Sequence, residues 1–230
     1  SASLNGAQNL LGPKFEINPA TGVYPYPPTD GTLTGNEIYK RLQVHNGDLD
    51  PALNSGAKYF VEIQVVAHDD ATGGNQQNNA TYRRVNVTGT GGVFDFAFAA
   101  AAQRQRAAIE AWGALDPTVV TTNVTDGANG RIIVAAKATA QFLTWHYEYA
   151  VQNLSSARAI RAFRVPIPAG AVVRNIGFHD VDYHSGEPFF GTDWTATVAA
   201  SSVTWTTDAW DSNPNANALR WGTLYNFRFD

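Results

Sequence analysis

The chain has 230 residues, of which 44% are hydrophobic, 16% are charged and none is cysteine. That length and apolar content can bury real cores, which excludes a wholly disordered chain. The lack of cysteine excludes disulfide frameworks, zinc–thiolate sites and cysteine catalysis. A net charge of −4 leaves no basic footprint for nucleic acid, and no apolar run approaches the ~18 residues of a membrane span. Methionine is also absent, and the chain starts Ser1-Ala2-Ser3. Such a small, polar start reads as the product of export with a cleaved signal peptide, so the expected location is extracellular.

Residues 1–36 are rich in Pro, Gly, Asn and Thr, with Tyr24-Pro25-Tyr26-Pro27-Pro28 at their centre. Prolines this dense forbid helix and a central strand, so this stretch reads as an extended arm and linker. Within it Leu11, Pro13, Phe15 and Ile17 alternate with Gly12, Lys14, Glu16 and Asn18, the period of a strand with one apolar face. Leu4 and Leu10 add apolar content, and no neighbouring segment offers a hairpin partner.

Residues 37–138 read as a β-rich domain with one helix. Ile38, Leu42 and Val44 suggest a strand, 59–66 is dense in β-branched and aromatic residues, and 82–87 and 94–98 follow as further strands. The spacing of Ala101, Ala102, Ala108, Ile109 and Trp112 predicts a helix over 99–112, stopped by Gly113 and Asp116-Pro117. Strands at 119–124 and 131–136 flank an Asp126-Gly127 turn.

Residues 139–230 read as six strands, at about 140–152, 157–167, 171–182, 193–199, 202–207 and 217–229, separated by turn chemistry. Strands of this length and spacing suit an immunoglobulin-like sandwich, which has about seven, so this one counts as a strand short. Five of the six Trp lie here, and Trp145, Tyr147 and Tyr149 read as one side of its core. On the last strand Leu219, Trp221, Tyr225, Phe227 and Phe229 are read as one apolar face.

The segment 178–184, Phe-His-Asp-Val-Asp-Tyr-His, and the segment 217–229, Asn-Ala-Leu-Arg-Trp-Gly-Thr-Leu-Tyr-Asn-Phe-Arg-Phe, resemble a group of secreted bacterial proteins of unknown function, over roughly residues 140–230. In organisation the chain also resembles subunits of bacterial pili assembled by donor-strand exchange. There a detached N-terminal strand of one subunit completes the incomplete immunoglobulin-like domain of another. Chaperone–usher pilins usually carry a disulfide and a single domain, and this chain departs on both points. The resemblance implies a structural subunit of a fibre, a cell-surface appendage, partnered by other copies of itself. Leu11, Phe15 and Ile17 (alternatively Leu4 and Leu10) would be the donor side chains, and Trp221, Tyr225, Phe227 and Phe229 would line the acceptor groove beside the final strand.

Other constellations are weighed against this expectation. His179, Asp180, Asp182 and His184 are the best metal or acid–base candidates, although alternation on a strand sets His179 on the opposite face from the other three. A metal-dependent hydrolase using His179, Asp182 and His184 is therefore the rival enzyme reading. The Asp69-Asp70 loop up to Asn79 lacks the order of an EF-hand and reads as a hydrated hairpin loop, as do His45, Asp48 and Asp50. Gly89–Gly92 is a Gly-rich hairpin with no following Gly-Lys-Ser/Thr. Asn79, Asn86, Asn123 and Asn153 head Asn-x-Ser/Thr triplets and are candidate glycosylation sites. No acid, base and nucleophile set emerges, so the chain is expected not to be an enzyme and to need no cofactor. A monomeric module that binds surface glycans is the third reading, with the arm folded back on its own sandwich. The expected division is an arm and linker at 1–36, a β-rich domain at 37–138 and the incomplete sandwich at 139–230.

Overall fold

The structure is a computed structural model that describes residues 12–29, 42–182 and 187–230. It is mainly β: among the described residues twelve strands form three antiparallel sheets, with three short α-helices. The first sheet has the order β1 (Tyr59–Gln64), β2 (Ala80–Thr90), β3 (Val93–Phe98), and β4 (Gln103–Arg104) also pairs with β2. The central sheet has the order β5 (Val120–Thr125), β6 (Arg131–Gln141), β7 (Thr144–Asn153), β12 (Thr223–Phe229), β9 (Gly177–His179). The outer sheet has the order β10 (Thr195–Ala199), β11 (Ser202–Thr206), β8 (Ala162–Pro166).

Alternation along the central strands makes this a three-layer arrangement, because successive side chains point to opposite faces. On one face Val151, Tyr225, Phe227 and Phe229 pack with Val165, Val203 and Trp205 of the outer sheet. On the other, Ile133, Ala135 and Ala150 pack with Ala80 of β2 and with Ala107, Ile109 and Val119. The middle of the central sheet is therefore apolar on both sides, and its long strands are not of the half-solvated kind.

Polar ties join the first sheet to the central one. The Glu62 carboxylate of β1 accepts from Gln152 Nε2 at 2.9 and 3.1 Å and from Ala108 N at 2.5 Å, and Gln64 Nε2 donates to Leu154 O at 2.9 Å. Arg131, the first residue of β6, donates to Gln77 O, Asn123 Oδ1 and Glu110 Oε1. It thus clamps three segments at one point.

Several expectations are corrected here. The division at 138/139 falls inside β6, which pairs along its whole length with β7, so the two expected blocks share one sheet. The helix expected at 99–112 occupies only α3 (Glu110–Leu115), here numbered after α1 (Asn46–Leu49) and α2 (His68–Thr72). Upstream of α3, Gln103 and Arg104 pair with β2, Gln105 has φ 60°, and the Ala108 amide goes to Glu62 rather than to a helical carbonyl. Tertiary partners override alanine's helix propensity. Of the strand suggested by Ile38, Leu42 and Val44, Ile38 lies outside the described residues, and 42–45 is not a strand. Trp145 is half exposed at the end of β7, while Tyr147 and Tyr149 pack against the core as expected.

Lys137 on β6 meets Asp116, the residue closing α3, at 2.7 Å. That hydrogen bond, helped by the Thr118 hydroxyl and amide, holds the Asp116 carboxyl down at about 2. A depressed carboxylate contributes stability that is present above its ordinary ~3.9 and is lost as pH falls from there through the folded value. Carboxyl NMR titration is expected to place Asp116 at about 2. Lys137→Met moves it upward but only part of the way, because Thr118 still donates at 3.0 and 2.6 Å.

Candidate functional site

Of the four expected acceptor residues, Tyr225, Phe227 and Phe229 are buried in the chain's own core. Phe227 lies 4.6 Å from Phe163 and 5.4 Å from Trp205, ring centre to ring centre. Their strand is not at an edge: β12 pairs with β7 from Thr223 to Phe229 and with β9 from Asn226 to Arg228. A strand added beside the distal half of β12 would have to displace β9, so the position expected for it is already filled. Trp221 stands apart from the other three, in the turn before β12.

The expected donor strand is corrected as well. Lys14–Glu16 is a single 3-10 turn rather than a strand. Phe15 meets Phe189 edge-on at 5.3 Å, and Lys14 Nζ sits 5.4 Å from the Trp221 ring centre. The Glu16 carboxylate accepts from the Thr29 hydroxyl, and the Asn18 amide donates to Val23 O, which folds this part of the arm on itself. Leu4, Leu10 and Leu11 lie outside the described residues.

Open edges exist elsewhere. Ile167 N donates to Ser201 O and Thr207 N to Arg161 O, so odd-numbered residues of the β8 region face β11. By alternation the backbone groups of Ala162 and Arg164 and the Pro166 carbonyl face the opposite edge. One exchange of hydrogen bonds between Ile160 and Leu219 occupies the start of that edge. Beyond it, no strand pairs with it among the described residues. The outer sheet lies over only part of the central one, since Phe163 of β8 contacts Tyr149 and Phe227, Trp205 of β11 contacts Phe227 and Phe229, and Trp194 contacts Phe178. Three strands thus face five. On the overhang Val120 is 66% and Val124 is 45% exposed, beside the half-buried Ile132 and Val134. The edge strand β5 carries no charge, proline or bulge of the kind that usually protects an edge.

Of the His/Asp candidates, Asp180 belongs to a structural network around Asn217. Asn217 is fully buried. Its Nδ2 donates to Asp180 Oδ2 and, at 3.1 Å, to Thr192 O. Its Oδ1 accepts from the Tyr225 hydroxyl at 2.6 Å, and its carbonyl accepts from Trp194 Nε1. Burial pushes the Asp180 carboxyl up, the Asn217 bond opposes this, and Asp193 and Asp182 add to the rise. His179 points away to Asp48 at 3.8 Å, and His184 lies outside the described residues. Among the described residues no three His, Asp or Glu side chains converge as a metal site. The sequence reading assigned no role to Asn217 and Trp194: Asn217 heads the second resemblance segment, and Trp194 is one of the five Trp in 139–230.

Asp69 and Asp70 belong to α2, and Asp70 Oδ2 accepts from Asn79 Nδ2 at 2.6 Å. His45 caps α1 by accepting from Gly47 N. Asn153 is buried and bonded to Ser156 N, Arg158 O and Leu219 O, so the folded chain cannot present it to a glycosylating enzyme. Asn86 and Asn123 are exposed and Asn79 is partly so.

A cleft of about 760 Å³ opens where the arm meets the sandwich. The arm turn at Lys14–Glu16, the segment 157–161 leading into β8, Pro188-Phe189 and the loop after β11 form its walls. Arg220 covers the Phe189 ring at 3.5 Å while its guanidinium donates to the carbonyls of Pro214, Ala216 and Ala218. Burial lowers the Lys14 ammonium pKa, Glu187 opposes this, and Arg220 adds to the fall.

Asn217→Ala is expected to take from the Asp180 carboxyl its amide donor and to leave the buried Tyr225 hydroxyl the longer bond to Ala218 O at 3.4 Å. At about 1–3 kcal/mol for a buried polar group left poorly satisfied, it should lower unfolding stability by roughly 1–3 kcal/mol in a urea titration. A loss under 1 kcal/mol would mean that this network is solvated. No family model matches the chain, and no curated protein or solved structure matches it.

Proposed function

We propose that the chain is a structural subunit of an extracellular bacterial fibre, in which copies join by adding an N-terminal strand of one to the immunoglobulin-like sandwich of the next. The observation that carries this reading is the unequal sandwich: three strands face five, with the β8 edge unpaired among the described residues above an apolar overhang. Natural sheets protect such edges or use them. The acceptor is therefore the β8 edge above β5 and β6, not the groove beside β12. The donor set is the alternative pair Leu4 and Leu10, which share one face of a strand, since Leu11 falls on the other face and Phe15 and Ile17 belong to the arm turn and its end.

Magnitudes favour an added strand over loose apolar contact. Each buried leucine contributes roughly 1.5–3 kcal/mol. Ordering the backbone costs about 1–2 kcal/mol per residue. Two leucines do not offset that cost over an eleven-residue segment, so main-chain pairing at about 0.5–1.5 kcal/mol per bond must contribute too. Strand addition supplies both terms. Because the donor and acceptor surfaces differ, the contact is head-to-tail and extends into a filament.

The monomeric surface module is the second reading, favoured by Phe15 resting on Phe189 of its own chain. Deletion of residues 1–11 separates the two. Negative-stain microscopy is expected to show fibres from the full chain and none from the deletion, and a peptide of residues 1–18 should hold the deleted chain as a capped monomer. Fibres of wild-type length from the deletion would remove the arm as donor, and a full chain that stays monomeric at high concentration would favour the surface module.

A further inference from the structure

We propose that the cleft between the arm turn and the loop after β11 binds a neutral polysaccharide. This does not depend on the assembly reading. The volume, about 760 Å³, is that of a small-ligand cleft. Its lining joins planar aromatic faces to convergent polar groups, the mixture that fixes a ligand's orientation.

Trp210 is the leading feature. It lies on the cleft wall and is 70% exposed, so the indole stands in solvent instead of entering the core as Trp205 and Trp194 do. Leaving an indole uncovered forgoes a large burial gain, so its ring is available for a ligand. Phe189, seated between Phe15 and Arg220, and Trp221, under Lys14, continue the aromatic wall. Pyranose rings present flat faces of C–H groups that stack on such rings, while their hydroxyls both donate and accept.

The polar groups suit hydroxyls. Asp208 Oδ2 accepts from Asn213 Nδ2 at 3.1 Å, which orients both side chains on the wall beside Trp210. Arg158 and Arg161 line the cleft too. Charge decides the class of ligand. Four cations, Lys14, Arg158, Arg161 and Arg220, line the cleft with three anions, Glu16, Glu187 and Asp208. The near balance disfavours a polyanion such as a phosphate polymer and equally a polycation. Arg220 is held by three backbone carbonyls, so its charge is committed to the loop. A chain of neutral sugars fits what remains.

The test is native affinity electrophoresis of the full chain in gels containing hydroxyethyl cellulose, mannan, xylan or dextran, with a chitin pull-down alongside. At least one of these glycans is expected to retard or retain the chain. Trp210→Ala should weaken that binding at least tenfold without moving the unfolding midpoint, since the side chain is mostly in solvent. Trp145→Ala, at a half-exposed indole outside the cleft, should leave it unchanged. Absence of binding to all five probes overturns the proposal. So does equal weakening by both variants. Loss of fibre length in Trp210→Ala with glycan binding intact also overturns it, and would make Trp210 a contact between copies. None of these results bears on the 1–11 deletion, so the assembly reading stands or falls separately.

Discussion

Tyr225, Phe227 and Phe229 project from one face of β12 into the space between the central and outer sheets, and the position of the outer sheet follows from them. Trp205 packs against both phenylalanines, Phe163 stacks near Phe227, and Trp194 closes on Tyr225 and Phe227. Rings of this size each bury a large area, and centroid separations of 4.6–6.1 Å are in the range where aromatic pairs add to that burial. β12 carries them as an interior strand, flanked by β7 and β9.

The constraint then propagates outward. With the outer sheet drawn over β7, β12 and β9, nothing in that sheet extends across β5 and the outer half of β6. The edge exposed by this offset is at β8 on one side and at β5 on the other. Asn217 fixes the opposite end: its buried side-chain amide joins Asp180 after β9 to the Tyr225 hydroxyl on β12, and its backbone carbonyl accepts from Trp194 before β10. The arm turn and the segment that leads into β8 line the same cleft.

Much of the fold was legible because period two survives packing. The six strands read from 139–230 correspond to β7 to β12, and the β-branched stretches upstream to β1, β2, β5 and β6. Alternation names the buried face of a strand but not its neighbours in the sheet. The final strand was therefore read with Tyr225, Phe227 and Phe229 on the right face, with Trp221 of the preceding turn wrongly added to it, and in the wrong location, since its place between β7 and β9 depends on connections across the sandwich. The alanine-rich stretch failed for a related reason: Glu62, some 46 positions upstream, captures the Ala108 amide. The turn at Lys14–Glu16 alternates like a strand in sequence, yet Phe189 and Trp221 draw its side chains to one cleft. The His/Asp segment was visible as a cluster, but its meaning depended on Asn217, which is distant in sequence.

The central claim is that the outer edge of β8 receives a strand from another copy. Amide hydrogen exchange at Ala162 and Arg164, compared between assembled material and the chain lacking residues 1–11, tests it most directly. The account predicts that both amides exchange slowly in the assembly and fast in the truncated chain, while Phe163 and Val165, which face β11, stay protected in both. Equally fast exchange of Ala162 and Arg164 in the two samples would contradict it.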